Sequence, residues 1–297
     1  MANILISGLI NTETSVSVRQ FPIPYYPIDY PFFGVKTVVS GVAYNIAKAM
    51  KTLGDSVRLA SMTGSDFQAE YILKELQTLR IDTAHIRQEL SETASSAVLY
   101  DPEGDRQIYC DLKDIQERSY GFSVDILDGI DLVVACNINF NRELLYLAGQ
   151  AGIPIATDVH VLTDIYDNYN REFLTYADII FLSDEGIGCD YRGFLYRLAR
   201  NYGAKVIVLG RGSKGAAIYC RESGVITELP AVYTGPVVNT VGAGDALFSA
   251  FLHFYCRGLD PVSCLYKAQY FASAKIRVSG ASQGFVTEAE LESLVNK

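Results

Sequence analysis

Short apolar runs alternate with segments of helical periodicity along most of the chain. Strands are predicted at residues 3–7, 56–61, 82–87, 131–135, 153–157, 178–182, 204–209 and 216–220. Helices are predicted at residues 41–53, 66–79, 141–151, 168–176, 190–202 and 246–255, and two more start at Asp260-Pro261 and at the capping box Thr287-x-x-Glu290. Continuous apolar strands separated by helices are typical of a parallel sheet covered on both faces. The pattern therefore predicts an α/β protein.

Two segments, 11–38 and 94–112, break this alternation. The first contains Phe21-Pro22-Ile23-Pro24-Tyr25-Tyr26-Pro27, which is too rich in proline for a helix, and the second reads as two strands around a turn. Together they predict a small β-sheet lid on a single domain that spans residues 1–297. Aromatic residues of the first segment could line the underside of the lid, pack inside it or cover a dimer face: Tyr25, Tyr26, Tyr30, Phe32 and Phe33.

Composition and charge exclude several classes of function. The 297 residues carry a formal net charge of −9 and no run of Lys or Arg, so binding to nucleic acid or to an anionic membrane is not expected. No stretch is long and apolar enough to span a membrane, and the first residues lack the pattern of a signal peptide. The six cysteines form no Cys-x-x-Cys pair, and the three histidines lie far apart. A cytoplasmic protein with reduced cysteines is expected.

The segment Asn239-Thr240-Val241-Gly242-Ala243-Gly244-Asp245 precedes the most apolar helix of the chain. A helix N-terminus presents free N–H groups and the positive end of the helix dipole, and small residues let an anion approach them. A carboxylate beside such a site can deprotonate a hydroxyl group that attacks phosphorus. The alternative is that the glycines only permit close packing and that Asp245 only complements the dipole.

Two further glycine-containing segments bear on function. Ser40-Gly41-Val42-Ala43-Tyr44-Asn45 opens a predicted helix, where a ligand could approach closely and Asn45 could bind it through its amide group. Gly210–Gly215 matches G-x-G-x-x-G, but a strand and not a helix follows it, which excludes a dinucleotide fingerprint. It is either a plain hairpin turn or a place where the backbone approaches a nucleotide.

With these segments in view, the chain resembles the PfkB family of carbohydrate kinases over essentially its full length. The family signature D-T-x-G-A-G-D stands here as residues 239–245, and a Gly-Gly pair followed by N-x-A stands as Ser40-Gly41 and Asn45-Ile46-Ala47. The resemblance implies a ribokinase-like fold, a three-layer α/β/α sandwich with a mostly parallel central sheet and a small β-sheet lid. It also implies an ATP-dependent kinase that phosphorylates a hydroxymethyl group of a small sugar or sugar-like substrate.

Carried over residue by residue, the resemblance implies that Asp245 is the catalytic base and that the backbone of Gly242, Ala243 and Gly244 forms an anion hole. The implied substrate-binding residues are Glu13, Gly41 and Asn45. The implied nucleotide-binding residues are Gly210, Gly212, Gly215 and Ser183. The family's N-x-x-E element, which organises the Mg²⁺ that accompanies ATP, departs here to Ser183-Asp184-Glu185-Gly186. Asp184 or Glu185 could substitute as the ligand, and Glu185 is the candidate.

Several positions depart from the family pattern. Asn239 replaces the usual aspartate, Ser40 replaces a glycine, and Glu13 stands where many members have an aspartate. Val42 occupies the position of a lysine in members that act on phosphosugars, which favours a neutral acceptor. The variant Gly41-Val42-Ala43-x-Asn45-Ile46-Ala47, together with Asn239, is most similar to pseudouridine kinases, so a nucleoside is an alternative substrate. A family member that binds a sugar or nucleotide without phosphorylating it is a second alternative, and a homodimer through the lid also stays open.

Overall fold

The computed structural model describes residues 2–296 and contains thirteen strands and eight α-helices within them. The strands are β1 (Asn3–Ser7), β2 (Asn11–Ser17), β3 (Val35–Ser40), β4 (Ser56–Thr63), β5 (Ile86–Gln88), β6 (Ser95–Tyr100), β7 (Arg106–Asp111), β8 (Leu132–Ala135), β9 (Ile155–Val161), β10 (Ile179–Ser183), β11 (Val206–Gly210), β12 (Ala216–Cys220) and β13 (Val225–Leu229). The helices are α1 (Val42–Leu53), α2 (Phe67–Thr78), α3 (Arg142–Gln150), α4 (Arg171–Tyr176), α5 (Tyr191–Asn201), α6 (Ala243–Tyr255), α7 (Pro261–Lys275) and α8 (Glu288–Val295).

Nine strands form the central sheet in the order β13-β12-β11-β10-β9-β8-β1-β4-β5. The strands from β11 to β5 in this order are parallel, and β12 and β13 add two antiparallel strands at one edge. Side chains alternate between two cores, because successive strand residues face opposite sides of a sheet. Ile4 and Ile6 pack with α1, α6 and α7, whereas Leu5 packs with α3, α4 and α5. The predicted three-layer α/β/α sandwich is confirmed.

The lid is a second sheet of four strands in the order β3-β2-β6-β7. Its strands lie within the two segments that the sequence predicted, apart from the last two residues of β3. The aromatic residues before β3 do not pack inside the lid, because Tyr25 is 88% exposed and Phe33 is 96% exposed. The packing alternative for these side chains is therefore wrong in the isolated chain.

Most element boundaries follow local signals. The Asp260 carboxylate accepts hydrogen bonds from the N–H groups of Val262 and Ser263 at the start of α7, and α8 begins with the expected capping box at Thr287. The predicted strand 82–87 is shortened to β5, because Asp82 accepts a hydrogen bond from the N–H of Ala84 and forms a local turn.

The parallel topology brings the carboxyl ends of the central strands to one edge of the sheet, where ligands bind in open α/β sheets. Ser7 ends β1, Ser183 ends β10 and Gly210 ends β11 at this edge. The lid reaches the same region, because Arg106 of β7 donates a hydrogen bond from Nη1 to Oγ1 of Thr240 at 3.0 Å. No helix within residues 2–296 is long and apolar enough to cross a membrane.

Candidate active site

Asp245 and Asn45, which lie 200 residues apart in the sequence, meet in the structure. Asn45 Nδ2 donates a hydrogen bond to Asp245 Oδ2 at 2.7 Å, and both side chains are buried. Asp245 lies in the first turn of α6, and Asn45 lies in the first turn of α1. The two segments singled out in the sequence therefore form one site where two helices begin.

The start of α6 presents backbone donors beside Asp245. Gly242 caps the helix in the left-handed conformation with φ of 77°, and Gly244 is exposed. The N–H of Ala243 donates to the Thr240 carbonyl at 3.2 Å, whereas among residues 2–296 no acceptor is found for the N–H of Gly242 or Gly244. Two of the three predicted anion-hole donors are therefore free to bind an anion.

The environment of Asp245 raises the pKa of its carboxyl group above the ordinary value of 3.8. Burial is the largest cause, because it disfavours the charged form. His160 and the hydrogen bond from Asn45 act in the opposite direction, while the nearby carboxylate of Asp158 adds to the rise. A carboxylate with a raised pKa is a better proton acceptor, which suits a general base.

The other candidate substrate residues lie on the lid and at the start of α1. Glu13 of β2 is buried and accepts a hydrogen bond from Ser40 Oγ at 3.1 Å. Burial raises the pKa of Glu13, and this hydrogen bond partly offsets the rise. Gly41 has φ of 102°, and a Cβ atom there would lie 2.5 Å from the Leu9 carbonyl oxygen, so the helix start packs tightly on the chain after β1.

Asn45 retains an unused acceptor. Its Oδ1 atom is buried and has no hydrogen-bond partner among the described residues, while its Nδ2 is bound to Asp245. A buried amide oxygen without a partner is costly unless a ligand or water occupies the space beside it. The acceptor capacity of this atom is therefore unsatisfied among the described residues.

The candidate nucleotide-binding residues cluster on adjacent strands. Ser183 at the end of β10 pairs in register with Gly210 at the end of β11. Gly212 and Gly215 belong to the turn between β11 and the antiparallel strand β12, so the segment is a strand-to-strand connection and not a dinucleotide fingerprint. Gly212 is exposed, and a Cβ atom there would meet nothing within 4 Å. This end of the sheet has open backbone beside the turn.

The segment after Ser183 does not by itself provide a set of ligands for a metal ion. Glu185 is exposed, and its N–H donates to Ser183 Oγ at 3.3 Å. Within residues 2–296, no group of three His, Cys, Asp or Glu side chains is arranged to hold a metal ion. Mg²⁺ in nucleotide sites commonly keeps several water ligands and needs only one or two protein carboxylates beside the phosphates.

Several residues around Asp245 and the loop before α6 were not selected from the sequence. Lys275 at the end of α7 is completely buried, and Arg106 contacts the loop before α6 from the lid. Asp158 in β9 is buried and interacts electrostatically with Asp245. None lies in a recognisable motif. A charged residue at the end of an apolar strand or helix was the available signal for Asp158 and Lys275.

Comparison with known proteins agrees with this geometry. The model of the pfkB family of carbohydrate kinases matches residues 3–288. The chain belongs to this family. It is accordingly a phosphotransferase with an alcohol group as acceptor, and its ribokinase-like fold is confirmed.

Relatives with different substrates resemble the kinase along most of its length. It is 27% identical to the fructosamine kinase FrlD of Bacillus subtilis, over 90% of this chain and 92% of the relative. It is 24% identical to a nucleoside kinase of Methanocaldococcus jannaschii, over 97% of this chain and 94% of the relative. The structure of the microbiome-derived acarbose kinase Mak1 superimposes with a TM-score of 0.88 at 23% identity, covering 100% of this chain and 99% of that one.

Proposed function

We propose that the kinase transfers the γ-phosphoryl group of ATP to a hydroxymethyl group of a small sugar or sugar-like substrate. The observation that carries this proposal is the position of Asp245. It is a buried carboxylate with a raised pKa, held by Asn45 and placed beside the free N–H groups of Gly242 and Gly244. These are the parts that phosphoryl transfer to an alcohol needs, a base and a positive site for the transferred group.

The proposed reaction proceeds by direct transfer. Asp245 accepts the proton of the hydroxymethyl group as its oxygen attacks the γ-phosphorus, and the bond from this phosphorus to the bridging oxygen of ADP breaks. The N–H groups of Gly242 and Gly244, with the dipole of α6, stabilise negative charge on the phosphoryl oxygens. The products are ADP and a phosphate ester.

The acceptor would be bound between the lid and the start of α1. Glu13 would accept hydrogen bonds from its hydroxyl groups, and the free Oδ1 of Asn45 would accept another. Gly41 lies next to these side chains, and its lack of a Cβ atom lets the start of α1 pack on the Leu9 carbonyl. A sugar offers several adjacent hydroxyl groups, so this set of acceptors suits it. The similarity to a fructosamine kinase supports including amino-linked sugars among the acceptors.

ATP would lie along the carboxyl ends of β10 and β11. Ser183, Gly210, Gly212 and Gly215 are the residues that we propose for its binding, since Gly212 is exposed in the turn that follows β11. Gly215 is buried, and a Cβ atom there would lie 2.1 Å from the Leu229 carbonyl oxygen, so it would act by shaping this turn. Bound Mg²⁺ would neutralise phosphate charge, with Glu185 as its protein contact through water.

The similarity to the archaeal nucleoside kinase favours a nucleoside as the second candidate acceptor. One experiment separates the candidates: ADP release by the purified kinase with ATP, Mg²⁺ and a panel of free sugars, fructosamines, phosphosugars and nucleosides. We expect substrate-dependent ADP release with a sugar or fructosamine. Release only with nucleosides would establish the alternative. A thermal shift without ADP release would indicate a member that binds without catalysis.

A further inference from the structure

Lys275 is the last residue of α7, and its side chain is completely buried. Lysine is rarely buried without a partner, because removal of an ammonium group from water is costly. Among residues 2–296, no carboxylate lies within ion-pair distance of its Nζ atom. The acceptor that Nζ contacts is the backbone carbonyl of Val241.

The position of Val241 gives this contact a consequence for the anion hole. Val241 directly precedes Gly242, and the peptide bond between them is trans and planar, so the Val241 carbonyl and the Gly242 N–H point in opposite directions. Because Lys275 binds the carbonyl, it fixes the direction of the Gly242 N–H on the other side. This N–H is one of the two donors at the start of α6 that have no partner.

The segment around Lys275 also supports the rest of this loop. The N–H groups of Val238 and Asn239 both donate to the Ile276 carbonyl, at 2.8 and 3.1 Å. A Cβ atom on Gly242 would lie 2.3 Å from the Ala281 carbonyl oxygen, so the helix start rests directly on the chain after α7. Among these contacts with the loop before α6, the one from Lys275 to the Val241 carbonyl is made by a charged side chain.

The charge of Lys275 lies among the functional carboxylates. Burial lowers its pKa to about 8, while Asp245 and Glu13 favour the protonated form and Arg106 opposes it. Lys275 in turn opposes the rise in pKa of Asp245 and of Glu13. At neutral pH the ammonium group thus places a positive charge behind a loop that receives a phosphoryl group.

We propose that Lys275 is a positioning residue for phosphoryl transfer: its ammonium group holds the Val241 carbonyl, directs the Gly242 N–H towards the phosphoryl group, and supplies a fixed internal cation to the site. The proposal rests on the proposed roles of Asp245 and the start of α6. A purely structural lysine at a helix end would complement the dipole equally well from the surface.

The test compares Lys275→Met, Lys275→Ala and Lys275→Arg with the wild type on the acceptor that the panel identifies. We expect kcat of Lys275→Met to fall about 10- to 100-fold, below the full effect of losing an anion-hole donor, with KM for the acceptor little changed. Its melting temperature should stay equal or rise, because methionine fills the space without a buried charge.

Two readouts exclude a merely structural role. Methylammonium or ammonium chloride should restore part of the lost kcat in Lys275→Ala, where space is left for a small cation, and choline chloride at the same ionic strength should not. Wild-type kcat should fall as pH rises through about 8, where Lys275 loses its proton, and this fall should move to higher pH in Lys275→Arg. The facing groups Asp245, Glu13 and Arg106 are unchanged in these variants.

Asp245→Asn, measured in the same series, separates this inference from the proposed function. Normal kcat in a folded Lys275→Met, with Asp245→Asn inactive, would overturn the role of Lys275 alone. Normal kcat in Asp245→Asn would overturn the proposed mechanism itself. Loss of kcat in Lys275→Met together with a lower melting temperature and no rescue of Lys275→Ala by small cations would assign Lys275 a structural role.

Discussion

Replacement of Gly242 by alanine should damage both stability and catalysis, and the structure supplies a control for each part of the effect. Gly242 has φ of 77°, which costs a residue with a Cβ atom about 1–2 kcal/mol. Its new Cβ would also lie 2.3 Å from the Ala281 carbonyl oxygen, so the backbone must shift. Overpacking of this kind adds about 1–3 kcal/mol. The expected sum is about 2–5 kcal/mol.

Gly54 provides the control for the backbone conformation. It ends α1 with φ of 98°, and a Cβ atom there would meet nothing within 4 Å. Gly54→Ala should therefore cost only about 1–2 kcal/mol and leave kcat unchanged. Gly244→Ala is the control for space at the helix start, because its Cβ would also meet nothing and it has no positive φ. It should not destabilise the fold.

Thermal unfolding followed by circular dichroism measures the stability difference, and ADP release measures kcat. We expect the melting temperature to fall more for Gly242→Ala than for Gly54→Ala, with a large loss of kcat only in the former, because the Gly242 N–H is displaced. Equal melting temperatures for the two variants would refute the close contact with Ala281. Full kcat in Gly242→Ala would refute a role of this N–H in the anion hole.

Further expected outcomes concern pH, the lid and association. Burial raises the pKa of Asp245, and a general base acts in its ionised form, so kcat/KM should fall as the pH decreases through a value above 3.8. A pH-rate profile measures this, and a fall that begins only at or below pH 3.8 would contradict it. Arg106→Met removes the hydrogen bond from the lid to Thr240, so KM for the acceptor should rise with the melting temperature unchanged. The exposed rings of Tyr25 and Phe33 are proposed to cover a dimer face, so sedimentation should show a dimer that Phe33→Ser weakens; a wild-type monomer would exclude it.

The sequence was sufficient for the architecture because its signals are local. Apolar runs, the Asp260 cap and the Thr287 capping box each act within a few residues, and the structure follows them. The sequence did not predict the edge strand β13, which forms by pairing with β12. It placed a strand at residues 82–87, but a turn at Asp82 limits this strand to the short β5.

Only part of the candidate site could be predicted from the sequence. The segments of Asp245 and Asn45 each begin a helix with small residues, which is a local pattern, and the fold joins them at 2.7 Å. Lys275 and Arg106 reach the same loop from 34 and 134 residues away, through tertiary contacts that leave no pattern in the sequence. Their roles depend on burial and on the backbone groups that they contact, which only the folded chain defines.

Turnover of Asp245→Asn on the identified acceptor tests the assignment of the general base most directly. Asparagine keeps the shape of the side chain, and loss of a buried carboxylate with a raised pKa should not destabilise the fold. Asp260→Asn makes the same chemical change at a helix start remote from the reaction and keeps the cap. We expect kcat of Asp245→Asn to fall about 10²- to 10⁴-fold with KM little changed, and kcat of Asp260→Asn to stay normal. Wild-type kcat in Asp245→Asn would contradict the assignment of Asp245 as the base.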